Sequence, residues 1–116
     1  MLVALISIPI NCFKIWRLKK LEVYLDEVAI IKNAVNNIVN ELGVFHDNPG
    51  KLSKAKLIWL SEQSDLAVSK IKSIKLSRIR RWLPEQAEDL ARWSVVNIHY
   101  INLIVSDINK MVKEKS

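Results

Sequence analysis

The chain has 116 residues, half of them apolar, and a formal net charge of +6. That length supports one domain with a hydrophobic core but not two, and the apolar content argues against a disordered chain. Cys12 is the only cysteine, which excludes an intramolecular disulfide and therefore a secreted disulfide scaffold.

The excess of positive charge lies in one stretch of the sequence. Residues 70–81, KIKSIKLSRIRR, contain six positive side chains and no acidic one. By comparison, residues 1–43 carry a net charge of +1, residues 44–69 are neutral, and residues 82–116 carry −1. A partner that recognises the charge of this protein is therefore expected to bind residues 70–81.

Residues 1–13, MLVALISIPINCF, have no charged side chain and are followed at once by KIWRLKK. A secretory signal peptide has its basic residues before the apolar run, so the order is reversed here. A membrane-spanning helix needs about 20 apolar residues, and this run is shorter. Three interpretations are open: a short membrane anchor with RLKK on the cytoplasmic side, a monotopic anchor in one leaflet, or a core element packed against the rest of the protein or a second copy.

The first long helix is predicted over about residues 14–42, with a start nearer residue 2 if the apolar segment is continuous with it. Its apolar side chains follow a heptad pattern that stops at Gly43, a typical left-handed helix cap. The a and d positions are Leu18, Leu21, Leu25, Val28, Val35, Val39 and Leu42.

A second helix is predicted over about residues 52–82, after the turn HDNPG, and either Asn48 or Ser53 caps its start. Its inward apolar stripe fails at Lys75, because the next apolar residues are displaced by roughly 110° around the helix. The helix therefore either bends within residues 73–77 or presents its last turns to a different partner. Before that point the stripe consists of Leu57, Leu60, Ser64, Ala67, Ile71 and Ile74.

Pro84 is well placed as the first residue of a third helix, predicted over about residues 84–114. Two tight connections between three long helices predict an all-α fold, an up-down-up antiparallel three-helix bundle. Its slim seams favour self-association through coiled-coil-like packing. The inward stripe of the third helix consists of Ala87, Ala91, Ser94, Ile98, Ile101, Val105, Ile108 and Val112.

In such a bundle, the basic end of the second helix returns to the level where the first helix leaves the apolar segment. Two basic clusters and two interfacial tryptophans, Trp16 and Trp82, would then converge, which is the composition expected beside an anionic leaflet. Three apolar residues, Leu76, Ile79 and Leu83, would dip toward lipid. The predicted anion-binding or membrane-surface residues are Arg17, Lys19, Lys20, Lys70, Lys72, Lys75, Arg78, Arg80 and Arg81.

Two other interpretations of the basic run are open. The first is an ordinary solvated face, in which Arg78 or Arg80 only pairs with the acidic residues that open the third helix. Alternatively, its cations neutralise nucleic-acid phosphates while Trp82 or Trp93 stacks on bases, although the charges are spread around the helix and no nucleic-acid-binding module is recognisable. The acidic residues in question are Glu85, Glu88 and Asp89.

No catalytic or metal site is predicted. His46 and His99 belong to different elements, and neither has a cysteine or an acidic residue at the spacing of a metal ligand. The only glycines, Gly43 and Gly50, do not form a phosphate-binding loop. The sequence therefore predicts a protein that is not an enzyme and has no cofactor.

The first and third helices each carry an uncharged flank of asparagines. These amides are either solvated or form hydrogen bonds across an interface with another helix. They are Asn33, Asn36, Asn37, Asn40, Asn97, Asn102 and Asn109.

Taken together, these features predict a non-enzymatic helical protein at the cytoplasmic face of a membrane. Its expected partners are the anionic membrane surface and either another protein or a second copy of itself. The alternative is a soluble cytoplasmic helical oligomer in which residues 1–13 complete the core. In that case the basic helix 70–81 binds nucleic acid or an acidic protein.

Overall fold

The protein is all-helical. A computed structural model describes the backbone of residues 2–115 and the side chains of residues 19–115. Within residues 2–115 there is no strand, and a short 3-10 helix, Pro49–Lys51, lies between the first two α-helices. The α-helices are α1 Leu2–Asp47, α2 Lys54–Lys72, α3 Leu76–Trp82 and α4 Pro84–Glu114.

The chain forms two compact units, Met1–Ile30 and Ile31–Ser116. The backbone of α1 is helical from Leu2 onward, which confirms the earlier start that the sequence allowed. In the first unit, Leu21 and Val28 are buried at the heptad positions predicted for them.

Helix α1 ends at Asp47 rather than at residue 42, so the prediction that Gly43 caps it was wrong. Gly43 does not adopt a positive φ and simply continues the helix. Phe45, only 2 % exposed, explains the extension because burying a phenylalanine contributes roughly 1.5–3 kcal/mol, more than the roughly 1 kcal/mol cost of a helical glycine. The helix then ends two residues before Pro49, where proline disfavours helical geometry for the residue that precedes it.

Ser53, one of the two predicted candidates, caps α2. Its Oγ accepts a hydrogen bond of 3.2 Å from the backbone N–H of Lys56, in the position that satisfies an otherwise unpaired donor of the first turn. Asn48 instead precedes the 3-10 helix and makes no side-chain cap.

Replacing Ser53 with alanine is expected to lower the free energy of unfolding by about 1 kcal/mol, because the N–H of Lys56 loses its acceptor. Urea denaturation followed by circular dichroism measures this change. Ser53→Asp keeps an acceptor oxygen at the same place and is the matched control. Equal destabilisation by both variants would show that the cap does not contribute.

The predicted single helix over residues 52–82 was wrong, because α2 ends at Lys72 and the chain resumes helical geometry only at Leu76. Ser73 turns its hydroxyl onto the backbone carbonyl of Lys70, at 2.6 Å, which is a local bond that competes with helix continuation. The predicted displacement of the apolar stripe is therefore a break in the helix. Residues 2–115 consequently form four α-helices instead of three.

A single apolar core holds the second unit together. It draws on the end of α1 and on α2 and α4, and its buried members are Val35, Leu42, Phe45, Leu57, Leu60, Ala67, Ile71, Ile101, Ile104 and Ile108.

Helices α2 and α4 pack closely and run antiparallel. Lys115 at the end of α4 donates from Nζ to the carbonyl of Leu52, just before α2, and Ser61 donates to the Asn109 side chain about two turns further along. Two small buried residues, one on each helix, allow the approach. The hydroxyls of these residues, Ser64 and Ser94, donate to the carbonyls four residues earlier, so their burial leaves no unsatisfied group.

Candidate anion-binding surface

The basic run is spread over three consecutive parts of the second unit. Lys70 and Lys72 lie in the last turn of α2, Lys75 lies in the connection, and the three arginines lie on α3. All six side chains are exposed. Residues 66–84 contain no acidic side chain, so these cations are not neutralised by near neighbours in the sequence.

Helix α3 is held in place by its apolar side. It packs against α4, its central residue Ile79 is fully buried, and Leu76 and Leu83 are half-buried. The prediction that these three residues dip toward lipid was therefore wrong for Ile79, whose side chain is inside the fold. The displaced stripe faces α4 because the break after α2 gives this short helix a new direction.

The arginines of α3 are not paired with the acidic residues of α4. Arg78, Arg80 and Arg81 form no salt bridge with Glu85, Glu88 or Asp89, all of which belong to the described part of the chain. The pairing that would have reduced the basic run to an internally balanced face is thus not observed. These guanidinium groups remain available to an external anion.

Trp82 is 40 % exposed beside the arginines, and its role as an interfacial aromatic residue stays a prediction. Trp59 is equally exposed, and the Nζ of Lys56 lies 3.9 Å from the centre of its ring. Trp93 is half-buried and packs against the core. Exposure alone therefore does not distinguish Trp82, but its position among six cations does.

The other predicted basic cluster belongs to the first unit. Lys19 and Lys20 are exposed on α1, whereas the side chains of Trp16 and Arg17 lie outside the described residues, as do those of residues 1–13. The predicted convergence of this cluster with residues 70–81 stays a prediction. Among the described residues, no helix is both long enough and apolar enough to span a membrane.

Two of the seven asparagines use their amides inside the chain. Asn97 donates to the carbonyl of Trp93 at 2.7 Å, and the side-chain oxygen of Asn109 accepts from Ser61 at 3.1 Å. The remaining five are exposed, as a solvated flank or an interface would require, and are Asn33, Asn36, Asn37, Asn40 and Asn102.

Within the described residues, no three histidine, cysteine or acidic side chains are grouped so that they could hold a metal ion. His46 and His99 are both exposed and lie on α1 and α4. The absence of catalysis and of a cofactor stays a prediction.

These features define a small basic all-α protein with an exposed cationic surface, which we call the α2–α3 surface and which consists of Lys70, Lys72, Lys75, Arg78, Arg80, Arg81 and Trp82. Comparison of the chain with protein family models, curated proteins and solved structures found no match.

One apolar surface of α4 was not predicted from the sequence. Val95, Val96 and Leu103 on α4 are large apolar residues that are more than half exposed. These residues fall outside the inward apolar stripe of α4, on the side of the helix that a single bundle leaves exposed to water. That position is the sequence signal that would have identified them.

Proposed function

We propose that this protein is a non-enzymatic helical protein that acts by binding an anionic membrane surface and another protein chain. The observation that carries the membrane part is the α2–α3 surface, whose six cations are exposed and belong to a stretch of sequence, residues 66–84, that contains no acidic residue. The place where it acts, in this proposal, is the cytoplasmic face of a membrane, where anionic lipids are concentrated.

Charge of this size is enough for reversible binding. Each Lys or Arg near an anionic leaflet contributes about 1 kcal/mol, and only charges within a Debye length of about 8 Å contribute fully. An exposed indole such as Trp82 suits the headgroup region because its ring is apolar and its N–H is polar. The α2–α3 surface combines both requirements in one short segment.

The proposal includes the up-down-up arrangement of the long helical segments. That arrangement would bring Trp16, Arg17, Lys19 and Lys20 to the same end as the α2–α3 surface. Residues 1–13 would then add an apolar contact with the membrane. This part of the proposal depends on the first unit, whereas the α2–α3 surface does not.

Cosedimentation of the full-length protein with lipid vesicles tests the proposal. We expect strong binding to vesicles that contain phosphatidylserine and weak binding to pure phosphatidylcholine. The difference should shrink as salt rises from about 50 to 200 mM, because screening weakens the attraction between cations and headgroups. Equal binding to both lipids would assign the contact to residues 1–13 alone, and no binding to either would refute the membrane part.

A second candidate is a soluble cytoplasmic oligomer that binds nucleic acid or an acidic protein. The observation that favours it is the exposed Trp82 among arginines, since an aromatic ring can stack on a base while cations contact phosphates. Fluorescence anisotropy with single-stranded RNA distinguishes the two candidates. Binding to RNA that anionic vesicles do not displace would favour the second.

A further inference from the structure

The outer face of α4 is apolar in its middle. Val95, Val96 and Leu103 are 68 %, 65 % and 55 % exposed, and His99 between them is also exposed. Residues two positions from the buried Ile101 lie about 200° from it around the helix, so His99 and Leu103 face directly away from the core. This central apolar patch has no partner within the described chain.

Charged residues flank the patch, with two glutamates toward one end of the helix, two lysines toward the other, and Arg92 between the glutamates and the patch. Glu85 and Glu88 lie toward the start of α4, and Lys110 and Lys113 lie toward its end. All four are exposed, and none of them forms a salt bridge within the described residues. We call this face, from Glu85 to Lys113, the α4 outer face.

The α4 outer face is complementary to the same face of a second copy that runs antiparallel to it. Glu88 lies 11 residues before His99 and Lys110 lies 11 residues after it. The same relation holds at 14 residues for Glu85 with Lys113, and at four residues for Val95 with Leu103. A two-fold axis at His99 would therefore place Glu88 on Lys110, Glu85 on Lys113 and Val95 on Leu103, while Val96 lies across from the uncharged Asn102. No pair of like charges is opposed, because the position across from Arg92 is Ser106.

The opposite orientation lacks this complementarity. A parallel pair of α4 helices in register would place Glu88 on Glu88, Arg92 on Arg92 and Lys110 on Lys110. Like charges set against each other are unfavourable in any helix pair. The charge pattern thus selects the antiparallel arrangement, which is also the one that closes as a two-fold dimer.

We infer that the α4 outer face binds the same face of a second copy, antiparallel, with His99 at the two-fold axis. This inference rests on the helix-mediated part of the proposed function and names its partner. Packing of i±3 ridges into i±4 grooves, with the axes about 8–10 Å apart and crossing at about 20°, keeps the faces in contact. Glu88 then lies about 16 Å along the axis from the centre, near enough to Lys110 of the other copy for the crossing to leave the pair within reach.

Charge reversal is the first test, read by sedimentation equilibrium at several protein concentrations. We expect Glu88→Lys to raise the dimer dissociation constant by about tenfold or more, because the new lysine opposes Lys110 of the other copy. The double variant E88K/K110E restores the attraction with the charges exchanged and should dimerise like the original. Glu62→Lys on α2, equally exposed, changes the net charge by the same amount and should leave the constant unchanged.

Three outcomes of that experiment would overturn the dimer. They are a protein that stays monomeric at every concentration, a Glu62 variant that weakens association as much as the Glu88 variant, and a double variant that fails to recover. Vesicle binding is measured on the same preparations. A monomer that binds anionic vesicles refutes the dimer alone. A dimer that does not bind anionic vesicles refutes only the membrane part of the proposed function.

Cross-linking tests the position of the axis. In a Cys12→Ser background, His99→Cys should be linked between copies by a short bifunctional thiol reagent, since the two thiols meet at the centre. Ser106→Cys lies on the same face, but its copies are separated by about 21 Å along the helices and should not be linked. Linkage at residue 106 and not at residue 99 would refute the antiparallel register.

Discussion

Replacing Arg78, Arg80 and Arg81 with glutamine is expected to lower the partition coefficient of the protein onto phosphatidylserine vesicles by about 100-fold. Each arginine near the leaflet contributes about 1 kcal/mol, and about 1.4 kcal/mol corresponds to a tenfold change. Glutamine keeps a polar side chain at three exposed positions, so α3 stays packed on α4 through Ile79. Vesicle titration at fixed salt measures the change, and circular dichroism confirms that the fold is retained.

The control for this prediction removes the same charge elsewhere. Lys51, Lys54 and Lys115 are exposed and lie together at the start of α2, since Lys115 donates to the carbonyl of Leu52. Their glutamine variant should bind vesicles nearly as well as the original protein, because this site is about 28 Å along α2 from its basic end. An equal loss in both variants would mean that net charge, rather than the α2–α3 surface, governs binding.

Much of the secondary structure could be predicted because proline and the apolar spacing mark it directly. Helix α4 begins at Pro84 and ends at Glu114, as predicted from the proline and the stripe that follows it. The end of α1 could not be predicted in the same way. Gly43 signals a cap locally, but Phe45 is buried by contacts with residues distant in the sequence, and these contacts decide the outcome.

The charge of the α2–α3 surface was predicted from the sequence, but the packing that holds α3 in place was not. The failure of the stripe at Lys75 indicated a bend or a new partner, yet no periodicity states what the displaced residues pack against. Ile79 finds α4, an element of the same chain, rather than lipid. A short apolar pattern looks the same whether its residues pack against lipid or against another helix of the same chain. Only the fold distinguishes the two cases.

The α4 outer face was missed for a related reason. Val95, Val96 and Leu103 fall outside the inward stripe, so a search for one amphipathic face treats them as scattered surface residues. Their proposed role in an interface can be recognised only from the exposure of the whole face and from the charges at both of its ends. Self-complementarity under reversal is nevertheless a property of the sequence, and it can be sought once the inward face of a helix is known.

Replacing Ile101 with alanine is expected to lower the free energy of unfolding by about 2–5 kcal/mol. Its side chain is fully buried within the core that joins α1, α2 and α4, so the truncation removes apolar contacts and leaves a cavity that close-packed neighbours fill only in part. Urea denaturation measures the change, and the slope of the transition should stay the same because the surface exposed on unfolding is almost unchanged.

Leu103→Ala is the matched control for Ile101→Ala, because it removes a side chain of similar size two residues later on the same helix. Leu103 is 55 % exposed, and its loss should cost about 0.5 kcal/mol or less when unfolding is measured on dilute, monomeric protein. At high concentration the same variant should lose more, since the α4 outer face then contributes to stability through the dimer. A large cost at every concentration would show that Leu103 packs within one chain, and the face assigned to the second copy would already be occupied.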